Sequence, residues 1–147
     1  MARDFQITKV YKSEAALEDF RVFFDSLADT KTYIEYVLSQ TWFKERWPEY
    51  KKVKLGDGRG RRSGVAYHDS FPNKIIHIGL PLFARRNYYV LHEIAHCLTD
   101  SDLAPHGEEF CGTYLFLIEK MLGIKAWIAL TNSFDRKGVK YHLEAKK

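Results

Sequence analysis

Apolar positions recur along the chain with two different periods, and the change from one to the other divides it into three stretches. Near the start Phe5, Ile7, Val10 and Tyr11 predict a short strand. Ser13 then stands where it can cap a helix whose apolar residues Leu17, Phe20, Phe24 and Leu27 follow helical spacing. A second helix is expected to begin at Thr30 or Thr32, to carry Ile34, Val37, Leu38, Thr41 and Trp42 on one side, and to stop at Pro48. Trp42, Phe43 and Trp47 read as packing residues.

From Lys51 the texture shortens into extended pieces, 53–55, 64–68 and 74–78, separated by glycine and turn residues. Ser70, Pro72 and Asn73 supply turn chemistry between the last two, so 64–78 reads as a hairpin. After Pro81 the helical period returns. One helix is expected from about Arg86 to Leu98. A second starts just after Gly107, with Glu108 and Glu109 in a first turn that favours anions, and ends at Gly123. A third covers 125–137 and stops at Gly138. The fold class that results is α+β, with helices packed on a small, mainly antiparallel sheet.

Length and composition leave this picture standing. At 147 residues, 46% hydrophobic and 15% aromatic, the chain reads as one globular domain, 1–147, with enough apolar material for a core. No apolar run approaches the roughly 18 residues of a membrane span, and MARDFQITKV lacks the apolar stretch of a secretory signal, so a cytoplasmic location is expected. Two cysteines, Cys97 and Cys111, are too few for a disulfide framework and read as small buried hydrophobes. The net charge of +4 is mild, yet Lys51, Lys52, Lys54, Arg59, Arg61 and Arg62 crowd into KKVKLGDGRGRR. Such a patch can meet phosphate, although it has no interleaved aromatics to stack on bases.

The candidate chemistry lies on the helix after Pro81. His92 and His96 are four apart, about one helical turn, so both imidazoles can reach one ion. Glu93 sits beside the first of them, where a carboxylate can take a proton from a metal-held water. On a helical wheel Val90, Leu91, Ile94, Ala95 and Leu98 fall within roughly 0 to 140°, with the two histidines near 200 and 240° and Glu93 near 300°. The histidines are therefore off the apolar stripe. A catalytic zinc wants a third protein ligand and an open position. Asp100, Asp102, His106, Glu109 and Glu119 are the downstream candidates. The metzincin spacing would use Asp102 but finds Thr99 where its glycine belongs, and the gluzincin arrangement would use Glu119. His106, at the mouth of the next helix with nine residues between it and His96, is the favoured third ligand, with Asp102 and a glutamate left as alternatives.

HEIAH followed by HGEEF resembles the HExxH and HGxxF signature of SprT and Spartan-like zinc metalloproteases, most of it carried by residues 88–112. The wider segment YVLHEIAHCLTDSDLAPHGEEFCGTYLFLIEKMLG is similar to an uncharacterised family of metallohydrolase-like proteins from actinobacteria and their phages. The resemblance implies a zincin-like fold in which one Zn2+ is bound by His92, His96 and His106, with Glu93 as general base and a polypeptide or other amide as substrate. In that fold an extended substrate pairs with an edge strand beside the active-site helix, for which 74–78 is the candidate. For a phage protein the compartment would be the host cytoplasm. The additional zinc-binding or DNA-binding segment of Spartan-like proteins has no counterpart here. Two other readings stand beside the hydrolase. In one, a zinc closed by a fourth ligand such as Asp102 is purely structural. In the other, the basic segment 51–62 binds nucleic acid. Tyr67, His68, Arg85, Arg86 and Tyr114 are residue types able to stabilise an oxyanion.

Overall fold

The computed structural model describes residues 4–56, 65–68, 75–81, 85–100 and 102–143, with the backbone alone for 65–68. In chain order the described elements are α1 (Ile7–Ser13), a 3-10 turn (Glu14–Phe20), α2 (Leu27–Ser39), α3 (Thr41–Arg46), β1 (Lys52–Gly56), β2 (Val65–His68), β3 (Ile75–Gly79), α4 (Asn87–Leu98), α5 (Glu108–Leu122) and α6 (Ile124–Lys137). The class is α+β, as the pattern predicts. The chain groups into two compact units, Val22–Cys97 and a second made of Met1–Arg21 with Leu98–Lys147.

The Val22–Cys97 unit begins with a capped helix. Ser26 is extended and its hydroxyl accepts the Asp29 N–H at 3.0 Å, so α2 starts a turn earlier than Thr30. Its inward face is Thr30, Ile34, Val37 and Leu38, and it packs on β1. The single helix expected up to Pro48 is in fact two. Ser39 Oγ and Gln40 Nε2 both donate to the Tyr36 carbonyl, at 2.6 and 3.1 Å, and Gln40 turns to ψ 141°, which ends α2 and opens α3. Phe43 is fully buried there, its ring 5.9 Å from that of Trp42 and 5.1 Å from that of Trp47, so these aromatics are packing residues.

The sheet has the order β1-β3-β2. β2 and β3 pair antiparallel, Val65 opposite Gly79 through His68 opposite Ile76, as a hairpin requires; its turn residues Ser70, Pro72 and Asn73 lie outside the described residues. The expectation of a mainly antiparallel sheet fails at β1, which runs parallel to β3 from Lys52 opposite Ile75 to Gly56 opposite Gly79. A parallel neighbour needs a crossover of a dozen or more residues, and the path from Gly56 to Ile75 by way of β2 is long enough to provide one. Ile76 and Ile78 are buried on one face of β3. Because β3 lies between two strands, 74–78 is not an edge and cannot pair with a substrate as expected.

Asn87 fastens the start of α4. Its N–H donates to the Val22 carbonyl at 3.0 Å while its Oδ1 accepts from the Val22 and Tyr88 N–H groups, next to a bridge between Phe23 and Arg86. At the other end Tyr50 donates its hydroxyl to the Cys97 carbonyl at 3.3 Å.

In the second unit the stretch expected as a strand is α1. Phe5, Ile7 and Tyr11 are exposed, whereas Val10 and Ser13, three apart, are the buried pair, and that is helical spacing. Ser13 caps nothing: its hydroxyl donates back to the Lys9 carbonyl at 2.7 Å, and the segment tightens into the 3-10 turn that buries Leu17. The helix expected to reach Leu27 thus ends at Phe20. α5 packs on α6, and α6 on both α1 and the 3-10 turn. α5 ends at Gly123, whose φ is 98°. α6 closes at Gly138, φ 70°, with Val139 N–H donating to the Phe134 carbonyl at 2.9 Å and Gly138 N–H to that of Asp135 at 3.3 Å, a Schellman ending. The chain then returns over α5: His142 N–H donates to the Glu108 carbonyl at 3.0 Å, and the His142 carbonyl occupies the space that a Cβ on Gly112 would need.

Candidate metal centre

α4 is an unusually buried helix. Besides the apolar stripe Val90, Leu91, Ile94 and Ala95, it buries Cys97, His92 at 1% exposure and Glu93 at 7%, and His96 is half-buried. The histidines do lie off the stripe, but not in solvent.

The pair is well placed to chelate. His92 Nε2 and His96 Nε2 are 3.1 Å apart and the two rings meet edge to face, 4.8 Å between centroids. Two nitrogens at the corners of a tetrahedron with metal–nitrogen bonds of about 2.0–2.1 Å would be roughly 3.3 Å apart. His106 joins them: among the described residues, His92, His96 and His106 form a group able to hold a metal ion, each offering one ring nitrogen, all within 4.8 Å of one another. Three imidazoles suit zinc, and also copper, iron and nickel.

His106 is 4% exposed and is held by residues far away in sequence. Its Nδ1 lies 2.8 Å from Asp4 Oδ2, and its backbone N–H donates to Asp4 Oδ1 at 3.3 Å. Gln6 Nε2 donates to the His106 carbonyl at 3.0 Å. The ring lies against Tyr11 and Phe110, with centroids at 5.3 and 5.1 Å. Asp4 and Gln6 are the residues that sequence reasoning missed. Nothing local marks them, because their partner is about a hundred positions downstream.

The other candidates are not part of this group. Asp100, Asp102 and Glu109 are exposed and Glu119 is half-buried. Asp102 instead donates its N–H to the Asp100 carboxylate at 2.9 Å, a local turn. Of the residues considered for an oxyanion, Tyr114 gives its proton to Glu14 Oε2 at 2.7 Å, Arg85 Nε bonds the Leu80 carbonyl at 3.2 Å, and Arg86 bonds the Tyr88 hydroxyl at 3.0 Å and lies over the rings of Phe23 and Tyr89. The side chains of Tyr67 and His68 lie outside the described residues.

Comparison with protein-family models, curated proteins and solved structures finds no match. The site must therefore be read from its own chemistry.

Both thiols are buried. Desolvation, with Glu14 and Asp4 nearby, pushes the Cys111 thiol up to about 12, and desolvation with Glu93 raises that of Cys97 further. Neither thiol belongs to the histidine group. In the basic segment Lys51, Lys52 and Lys54 are exposed, while Arg59, Arg61 and Arg62 lie outside the described residues. Among the described residues no helix is long and apolar enough to cross a membrane.

Proposed function

We propose that this protein is a zinc-dependent hydrolase that cleaves a peptide or other amide bond with Glu93 as general base. The observation that carries the proposal is the three-histidine donor set on and beside α4, with a buried carboxylate adjoining the first ligand. A structural zinc closes with four protein ligands, whereas a catalytic one keeps a position for water. Asp102, the residue considered for closing the site, is exposed and outside the group.

Bound there, zinc would acidify a water and polarise the substrate carbonyl. The chain's own share is positional and acid–base. His92, His96 and His106 would hold the ion. Glu93, 7% exposed, takes the proton from the attacking water and returns it to the leaving amine. The resemblance of HEIAH and HGEEF to SprT and Spartan-like metalloproteases favours a polypeptide over other amides.

The test is metal content and peptide hydrolysis in the purified protein and its variants. The parent and Glu93→Gln are each expected to hold one zinc per chain, with hydrolysis in the variant reduced about 10²- to 10⁴-fold. His92→Ala and His96→Ala are expected to lose the zinc, and His106→Ala to bind it far more weakly than the parent. A Glu93→Gln variant as active as the parent would overturn the reading.

A further inference from the structure

Residue 106 is gripped at three points by one short segment near the chain start. Asp4 takes its N–H and faces its ring nitrogen, and Gln6 takes its carbonyl. Gln6 is itself anchored, accepting the Lys140 N–H at 2.6 Å and donating to the Lys140 carbonyl at 3.0 Å. Backbone and ring of His106 are thus set by side chains that contribute nothing to the metal-binding group itself.

The ring contact has a chemical direction. A carboxylate only accepts, so at 2.8 Å it draws the imidazole proton to Nδ1 and leaves the Nε2 lone pair for a metal. A carboxylate behind a ligating imidazole also makes it a stronger donor. We propose that Asp4 is a positioning residue for His106, and that seating of residues 4–6 and affinity of the histidine site for zinc are linked. Loosening the segment weakens the metal, and the metal holds the segment down by the same free energy. This inference rests on the zinc reading above, but not on the hydrolytic one.

Asparagine at position 4 discriminates sharply. It has the same size as aspartate but only one acceptor, so either the His106 N–H or Nδ1 must face an amide N–H. If the amide faces Nδ1, the ring proton moves to Nε2 and the lone pair needed by the metal is lost.

The experiment measures Zn2+ affinity by competition with a chromophoric chelator, on the full chain, for the parent, Asp4→Asn, Asp4→Ala, His106→Ala and the Asp4→Ala/His106→Ala double variant. Visible spectra of the Co2+-loaded proteins and circular dichroism of the metal-free proteins accompany it. Asp4→Asn and Asp4→Ala are expected to bind zinc about 10- to 100-fold more weakly, with a changed Co2+ spectrum and unchanged dichroism. In the His106→Ala background, Asp4→Ala should add less than about a twofold loss. Parent-like affinity in both Asp4 variants, or an equal loss in both backgrounds, would overturn the proposal. If affinity depends on Asp4 but no peptide is cut, the hydrolase reading falls and this one stands; hydrolysis with Asp4-independent affinity does the reverse. A parent that binds no zinc overturns both.

Discussion

At the scale of single residues, burial in apolar surroundings silences a thiol. Cys111 illustrates this. Its thiol is neutral in folded and unfolded chains below pH 9, so it contributes no pH dependence there. Between 9.0 and about 12 the unfolded chain releases the proton and the folded chain keeps it, so stability falls as pH rises through that window. Urea denaturation at about pH 8 and about pH 10.5 should therefore show a loss of stability in the parent that is smaller in Cys111→Ala. The same burial predicts that a thiol reagent leaves the folded protein unlabelled at pH 8 and labels both cysteines once it is unfolded. That the cysteines are small buried hydrophobes was legible in the sequence from their number alone. Of the candidate site, the spacing of His92 and His96 was equally legible, since helix geometry alone fixes it. Asp4 was not, because a contact across about a hundred residues leaves no periodic trace.

At the scale of elements, the strength of the local signal decided what could be read. α4, α5 and α6 begin and end within about two residues of expectation, because Gly107, Gly123 and Gly138 punctuate strongly periodic segments. The first thirty residues misled because few of the apolar side chains that set the pattern are buried: Phe5, Ile7 and Tyr11 are exposed and Phe20, Phe24 and Leu27 half-buried, which leaves Val10 and Leu17 inside. The parallel pairing of β1 with β3 was likewise illegible, since strand order is chosen by packing between segments and not by either segment's pattern. Gly112 provides a test at this scale. In a helix interior alanine is ordinarily better than glycine by about 1 kcal/mol. Here the added Cβ would meet the His142 backbone carbonyl, which cannot swing aside as a side chain could. Steric conflict should win, so Gly112→Ala is expected to destabilise by about 1–3 kcal/mol in urea denaturation, and Gly112→Val by more.

At the scale of the whole molecule, a ligand that binds only the folded chain must stabilise it. With free Zn2+ at about a hundred times its dissociation constant, the gain is about 2.7 kcal/mol. For a chain of this length that raises the unfolding temperature by roughly 5–10 °C. Differential scanning calorimetry should show this increase, its reversal by a chelator, and its absence in His106→Ala. A zinc-independent unfolding temperature would count against the donor set as a metal site.

The grip of residues 4–6 on His106 and Lys140 also sets a timetable. Asp4 and His106 lie 102 positions apart and Gln6 and Lys140 lie 134 apart, so the contacts that orient the histidine close long loops. The hydrogen bonds of α4 are local and need no such closure, whereas Gln6 is seated only once it meets Lys140. In refolding, helical circular dichroism should therefore return before the orientation of His106 does.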